Sequence, residues 1–248
     1  MRRHNKPTVD LVGVDGCKGG WYAVKQDART GAITTHICPS FADLLGWAPA
    51  PAVVGVDMPI GLSSTGHRIC DSEARKRLRW PRSASVFQTP VRQVLRSGTY
   101  EEACRRNREA TGKGISQQAF NILPKIAVVD DALRASARDA SRVFEVHPEL
   151  AFMQLEIEQG GEAMGLREGK TTQAGHARRK ALLIAVFGAS VESALEARER
   201  LARHVQKDDV LDAFAVLWSA RRIAAGSAVR LPGEEARDSA GLLMNIHY

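Results

Sequence analysis

The sequence predicts an α/β protein with a mixed sheet, three antiparallel strands followed by parallel ones, flanked by helices and carrying a large helical insertion after the fourth strand. Three observations predict it. Short apolar, β-branched runs at 8–15, 21–25 and 33–38 lie close enough together for tight-turn connections. Two further runs, 52–57 and 143–146, are each reached through helical sequence, the connection that parallel strands require. Between them, 59–141 reads as polar helical segments. At 248 residues, 44% hydrophobic and 25% charged, the chain is read as one domain over 1–248, with 59–141 inserted within it.

Each element has a local reason. Thr8–Asp15 (TVDLVGVD) is an apolar run closed by Gly16, and Gly19-Gly20 lead into the second strand, Trp21–Lys25. A turn at Asp27–Gly31 precedes the third, Ile33–Cys38, giving an antiparallel meander. Ser40 caps a short helix over Phe41, Leu44 and Leu45. Pro49 and Pro51 break that helix, and Ala52–Asp57 (AVVGVD) has the unbroken apolar character of a strand buried on both faces. In the insertion, helices are expected over Asp71–Leu78, Tyr100–Ala110 and Gln117–Ala137. Val143–Val146 returns to strand, and His147-Pro148-Glu149 opens a helix with proline at its first position. Helices follow over Thr172–Phe187 and Val191–His204, and a last one over Asp208–Ala225 has Asp208 as its N-cap. From Leu231-Pro232 onward the tail carries little pattern.

Composition narrows the function classes. Lys and Arg number 35 against 28 Asp and Glu, a net +7. The whole surplus falls between Arg68 and Arg108, where eleven basic residues face four acids. Such a stretch is either a solvated helix face or a grip for a polyanion such as nucleic acid. Four scattered cysteines without CxxC spacing, and no apolar segment at Met1–Lys6, lead to the expectation of a reduced cytoplasmic protein. No apolar run approaches the ~20 residues of a membrane span, and no Cys/His pairing has zinc spacing.

The candidate chemistry is acidic. Asp15 and Asp57 end two similar runs, VGVD-Gly and VGVD-Met, at the carboxyl edge of strands, where α/β sheets bind ligands. Either could merely cap a turn. Glu145, between Phe144 and Val146, needs a partner or a metal unless it lies on an exposed edge. Asp212 heads a second buried row of the last helix with Val216, Ala220 and Ile223, and Asp209 lies three residues before it. First-turn acids can also serve the helix dipole alone. Converging carboxylates repel one another, and divalent metal resolves the conflict: hard oxygen ligands select Mg²⁺ or Mn²⁺. Two such ions ~4 Å apart suit phosphodiester hydrolysis, and the basic stretch would hold the flanking backbone.

The order β-β-β-α-β, insertion, β, terminal helix, with these acids, resembles the ribonuclease H-like superfamily, and Asp209–Ala215 is similar to a segment of its Holliday-junction resolvases. More closely, VGVDGCKGGW (12–21), VGVDMPIGL (54–62), RSASVFQTP (82–90), GISQQAFNILPKI (114–126), VFEVHPELAF (143–152) and KDDVLDAFAVLW (207–218) resemble the domain of unknown function 429 family, described as predicted nucleases. The resemblance implies a metal-dependent nuclease in which Asp15, Asp57, Glu145 and Asp212 hold two Mg²⁺ or Mn²⁺ ions, Asp209 supports them, and nucleic acid, DNA or RNA, is the partner. Asp57 stands where many superfamily members carry Glu, and the insertion after it is foreign to the minimal fold.

Arg82, Ser85, Gln118 and Lys125, with Gln117 and Asn121, are candidates for phosphate or base contacts, or for packing over the sheet. His147 is a candidate proton shuttle or a hydrogen-bonded strand end, and Trp80 a candidate stacking residue. Two rivals remain. An actin-like ATPase or sugar kinase would need a second β-β-β-α-β half, which 248 residues do not offer. A non-catalytic nucleic-acid-binding module would tolerate loss of the acids. The oligomeric state is left open, a homodimer included.

Overall fold

In the computed structural model, residues 8–161, 166 and 168–248 are described, so the Met1–Lys6 segment lies outside the described residues. The meander forms as β1 (Leu11–Cys17), β2 (Gly20–Gln26) and β3 (Ile33–Cys38), followed by α1 (Phe41–Leu45). Ser40 caps α1: its Oγ accepts from the Asp43 N–H at 3.1 Å, while Asp43 accepts from the Ser40 N–H at 3.0 Å. β4 (Val53–Val56) lies parallel to β1, and β5 (Val143–Glu145) parallel to β4, giving the order β3-β2-β1-β4-β5. This is the mixed α/β sheet expected from the sequence. The described residues contain one such sheet and a two-stranded ribbon, with no second copy.

Side-chain alternation assigns the two faces. Val12, Val14, Trp21, Ala23, Val54 and Val56 pack under α1 and under α4 (Gln117–Ala135), which contributes Ile126, Val129 and Leu133. Leu11, Tyr22, Val24 and Val53 face the other layer, α6 (Pro148–Glu158), α7 (Gln173–Phe187), α8 (Ser190–Glu199) and α9 (Lys207–Ala224). α9 is buried continuously from Val210 to Ala220, as its two apolar rows predict. It starts at an N-cap of Gln206, which moves Asp208 from the expected cap into the first turn.

α9 lies directly on β1 and β4 because glycines occupy the contact. Gly13 and Gly55 are side by side in the parallel register. A Cβ on Gly13 would stand 2.1 Å from the Leu217 nitrogen and 2.3 Å from the Ala213 oxygen, and one on Gly55 would stand 2.8 Å from Val216 Cγ1. The repeated VGVD thus has a packing role: its glycines form a groove for a helix.

The insertion holds α2 (Ile69–Leu78), α3 (Tyr100–Thr111), α4 and a short α5 (Ala137–Ala140), with tight turns at Arg82–Ser85 and Arg92–Val94. The helix expected to reach Ala137 ends at Ala135, where Ser136 turns the chain and caps α5 with its Oγ accepting from the Asp139 N–H at 3.2 Å. The tail corrects the sequence reading. β6 (Arg230–Leu231) pairs with β7 (Ile246–His247), His247 bridges to Val146 beside β5, and Asp238 accepts from the Leu62 N–H at 2.8 Å and from Arg92. The tail therefore clasps the insertion to the sheet. No described helix is long and apolar enough to cross a membrane.

Candidate metal centre

Asp15 and Asp57 converge for a geometric reason. With a period of two, Leu11, Gly13 and Asp15 share the α9 face of β1, and Val53, Gly55 and Asp57 share the same face beyond β4. The strands end level, with the Asp57 N–H donating to the Val14 carbonyl at 2.9 Å. α9, seated on the two glycines, brings Asp212 to this edge from one turn before Val216. Each of the three aspartates offers an oxygen within 4.8 Å of the other two.

Their electrostatics are unbalanced. Asp15 is 9% exposed and Asp212 4%. Burial, then Asp57 and Asp212, pushes Asp15 well above the usual carboxylate range. Burial and Asp212 raise Asp57 to about 8, and burial raises Asp212 to about 6 against the pull of Lys170. Lys170 Nζ is 3.2 Å from Asp212 Oδ2, and Asp212 raises the Lys170 pKa in return. Three carboxylates against this one ammonium must retain protons or gain a cation. Three oxygens bound to one Mg²⁺ at ~2.1 Å lie at most about 4.2 Å apart, so a small contraction of the cluster would accommodate one ion.

The other two predicted ligands fall outside this triad, although Glu145 lines the same cavity. Glu145 pairs in register with Val56, not Asp57, so it projects from the opposite face of the sheet. There its Oε1 and Oε2 accept from Arg68 at 2.6 and 2.9 Å, and Oε2 also accepts from the Ile60 N–H at 2.7 Å. Arg68 is 1% exposed and also binds Asp71. Arg68 counters the burial of Glu145, whose carboxyl nevertheless stays above its usual range. Asp209 Oδ2 accepts from the Gln206 N–H at 2.7 Å, capping α9. With Glu145 and Asp209 engaged, the carboxylates that could together hold an ion are Asp15, Asp57 and Asp212.

A cavity of about 230 Å³ opens over the three aspartates. Ser85, Gln118, Lys125 and His147 line it, as their candidacy implies, and Arg82 does not. Ser85 Oγ donates to the Arg82 carbonyl at 2.7 Å. Lys125 Nζ donates to the Gly20 carbonyl at 2.6 Å and stands 4.6 Å from the Trp21 ring centre. Burial depresses the His147 imidazole, and its Nδ1 is buried without a hydrogen-bond partner. Gln117 and Asn121 bond to each other at 3.0 Å on α4, and Trp80, 81% exposed, lies outside the cavity.

The profile of a family described as a protein of unknown function (DUF429) matches residues 13–237. The chain belongs to the DUF429 family. No curated protein and no solved structure matches it. The DUF429 match contains Asp15, Asp57, Asp212 and Lys170, and it ends before Ile246, which completes the cavity wall.

Three residues at this DUF429 site escaped the sequence reading. Lys170 lies in a stretch without periodicity and meets Asp212 only through the fold. Arg68 was grouped with a basic surface but is buried. Glu149, on the cavity wall, is held by buried Arg179 at 2.6 and 2.9 Å, a second Arg–Glu fork. The eleven basic residues of 68–108 do not line the cavity at all. Arg75 and Arg77 bind Val86 and Tyr248, Arg92 binds Asp130 and Asp238, Arg96 binds Asp131, and Arg105 and Arg106 bind Glu109 and Glu102. Of the eleven, Arg68 is buried while Lys76, Arg77, Arg79, Arg96, Arg105 and Arg108 are exposed, so the stretch is mainly solvated surface away from the cavity and not an arm beside the aspartates.

Proposed function

We propose that this protein is a metal-dependent phosphodiesterase of ribonuclease H-like type, a nuclease, with Asp15, Asp57 and Asp212 holding one Mg²⁺ or Mn²⁺. The observation that carries the reading is the convergence of three largely buried carboxylates within 4.8 Å against one lysine. Only hard-cation chemistry uses such a donor set economically. When bound, the ion would supply Lewis acidity to a phosphoryl oxygen and offset its charge.

The chain's own groups have separable tasks. Lys170 lies beside Asp212 at the cavity wall, where its ammonium would face a phosphate oxygen. His147, which lines the cavity, would exchange a proton with the attacking water or the leaving oxygen. In the overall step one water oxygen bonds to phosphorus and the P–O ester bond breaks. One proton of that water ends on the leaving alkoxide, and the other is released.

The test is a cleavage screen over single-stranded, duplex, hybrid and branched DNA and RNA with Mn²⁺. Cleavage by the native chain and a loss of at least ~100-fold in Asp15→Asn are expected, the scale of removing a principal electrostatic contributor. Calorimetric Mn²⁺ titration should give one site per chain, kept in Glu145→Gln and lost in Asp57→Asn. Equal cleavage by Asp15→Asn would sink the mechanism. Salt-sensitive nucleic-acid binding without cleavage would identify a binding module, and nucleoside-triphosphate hydrolysis in its place a kinase-like enzyme.

A further inference from the structure

We infer that the cavity is built for a single nucleotide unit, so that the substrate is a nucleoside phosphoester presented singly, at a strand end or as a small free ester. The inference rests on the phosphodiesterase reading above and narrows its substrate.

Size comes first. At about 230 Å³ the cavity falls below the ~300–1,000 Å³ of sites for drug-sized ligands. A cavity of this size has room for no more than one nucleotide unit at a time, so a longer strand would have to leave its other units outside it.

The lining is split to match such a unit. Asp15, Asp57, Asp212 and Lys170 supply the phosphate-handling groups, while Val86, Phe87, Ile122, Met58, Pro59 and Ile246 supply apolar surface. Phe87 and Ile122 are only half-buried, leaving flat apolar area available to a base. Gln118, exposed at the rim, carries both a donor and an acceptor, the pair that reads a base edge.

The walls are fixed. Lys125 ties α4 across to Gly20 and Trp21, and Asp238 ties the tail to Leu62 and Arg92. Asp15, Asp57 and Asp212 all lie among the residues that line this braced cavity. Among the described residues that line the cavity, the basic ones are Lys170, beside the aspartates, and Lys125, which is bonded to the Gly20 carbonyl, so the described lining offers cationic charge for one phosphate.

The experiment compares, with Mn²⁺, a linear single-stranded oligonucleotide, a covalently closed circle of the same sequence and a dinucleotide. The linear strand should be shortened from an end with release of mononucleotides, and the circle should resist at least ~100-fold, since it offers no end. A dinucleotide cleaved as fast as the strand places the substrate among free esters; a much slower dinucleotide places it at strand ends. Internal cutting of the circle at the linear rate would overturn the single-unit inference and leave the phosphodiesterase reading standing. No cleavage of any of the three would overturn both. Binding gives an independent readout: Phe87→Ala should weaken thymidine monophosphate about tenfold, the loss of one stacking contact, and leave inorganic phosphate binding unchanged. Equal weakening of both would also count against the inference.

Discussion

At the scale of single residues, the behaviour of Asp57 is set by where its charge can go. Its carboxyl rises to about 8 in the folded chain, against roughly 4 when unfolded. A raised carboxyl means that the folded state keeps a proton that the unfolded state has released. Its contribution to stability is thus fully present below about pH 4 and is lost as pH rises through about 8. Asp212, raised to about 6, adds to the same slope over a narrower window. Metal-free protein should therefore weaken from pH 5 to 8 by up to about 1.4 kcal/mol per pH unit for each retained proton. Urea midpoints across that range check this. Mn²⁺, replacing the protons, should flatten the slope, as should Asp57→Asn; an unchanged slope in that variant would show that the charge imbalance lies elsewhere.

The three aspartates were legible in the sequence because each ends or begins a strongly patterned element. The face that Glu145 takes was not legible, because it depends on the β4–β5 register, a pairing between Val56 and Glu145 that no local pattern encodes. The basic stretch misled in the same way. Its charges cluster in sequence, but the partners of Arg92, Asp130 and Asp238, come from other parts of the chain.

At the scale of elements, the decisive contact is α9 on the paired glycines. Gly13→Ala sets a methyl against helix backbone at 2.1 Å, which only a shift of α9 can relieve. A loss near the top of the overpacking range, about 3 kcal/mol, is expected, together with weaker Mn²⁺ binding as Asp212 moves. Gly55→Ala meets the Val216 side chain first, at 2.8 Å, and should cost less, about 1 kcal/mol. Chemical denaturation of the two variants gives the order, and equal costs would contradict the close helix seat. The strands, the terminal helix and the insertion helices could be read from periodicity, since burial imposes it. The β6–β7 ribbon could not: two residues per strand are too few to show alternation.

At the scale of the whole molecule, that ribbon joins segments remote in sequence. Ile246 and Tyr248 pack with Cys70, Ala74 and Leu78 of α2 and with Leu150 and Met153 of α6. Removing 226–248 should release the insertion while leaving the meander intact. Limited trypsin digestion should then cut within 59–141 at sites protected in the full chain, with 8–38 surviving; an insertion as resistant as before would mean that the clasp contributes nothing.

The cavity wall that runs from Asp15 to Ile246 also governs when the site can exist. Chains emerge from the ribosome amino end first, and contacts across most of the sequence form only after the intervening loop closes. β1 and β4 can pair early, yet Asp212 and the closing residue Ile246 are synthesised only after the insertion and the helices that follow it. A nascent chain therefore presents two carboxylates on an unroofed sheet edge, short of a ligand and of a wall. Order of synthesis alone keeps the centre unassembled until the fold around it is finished.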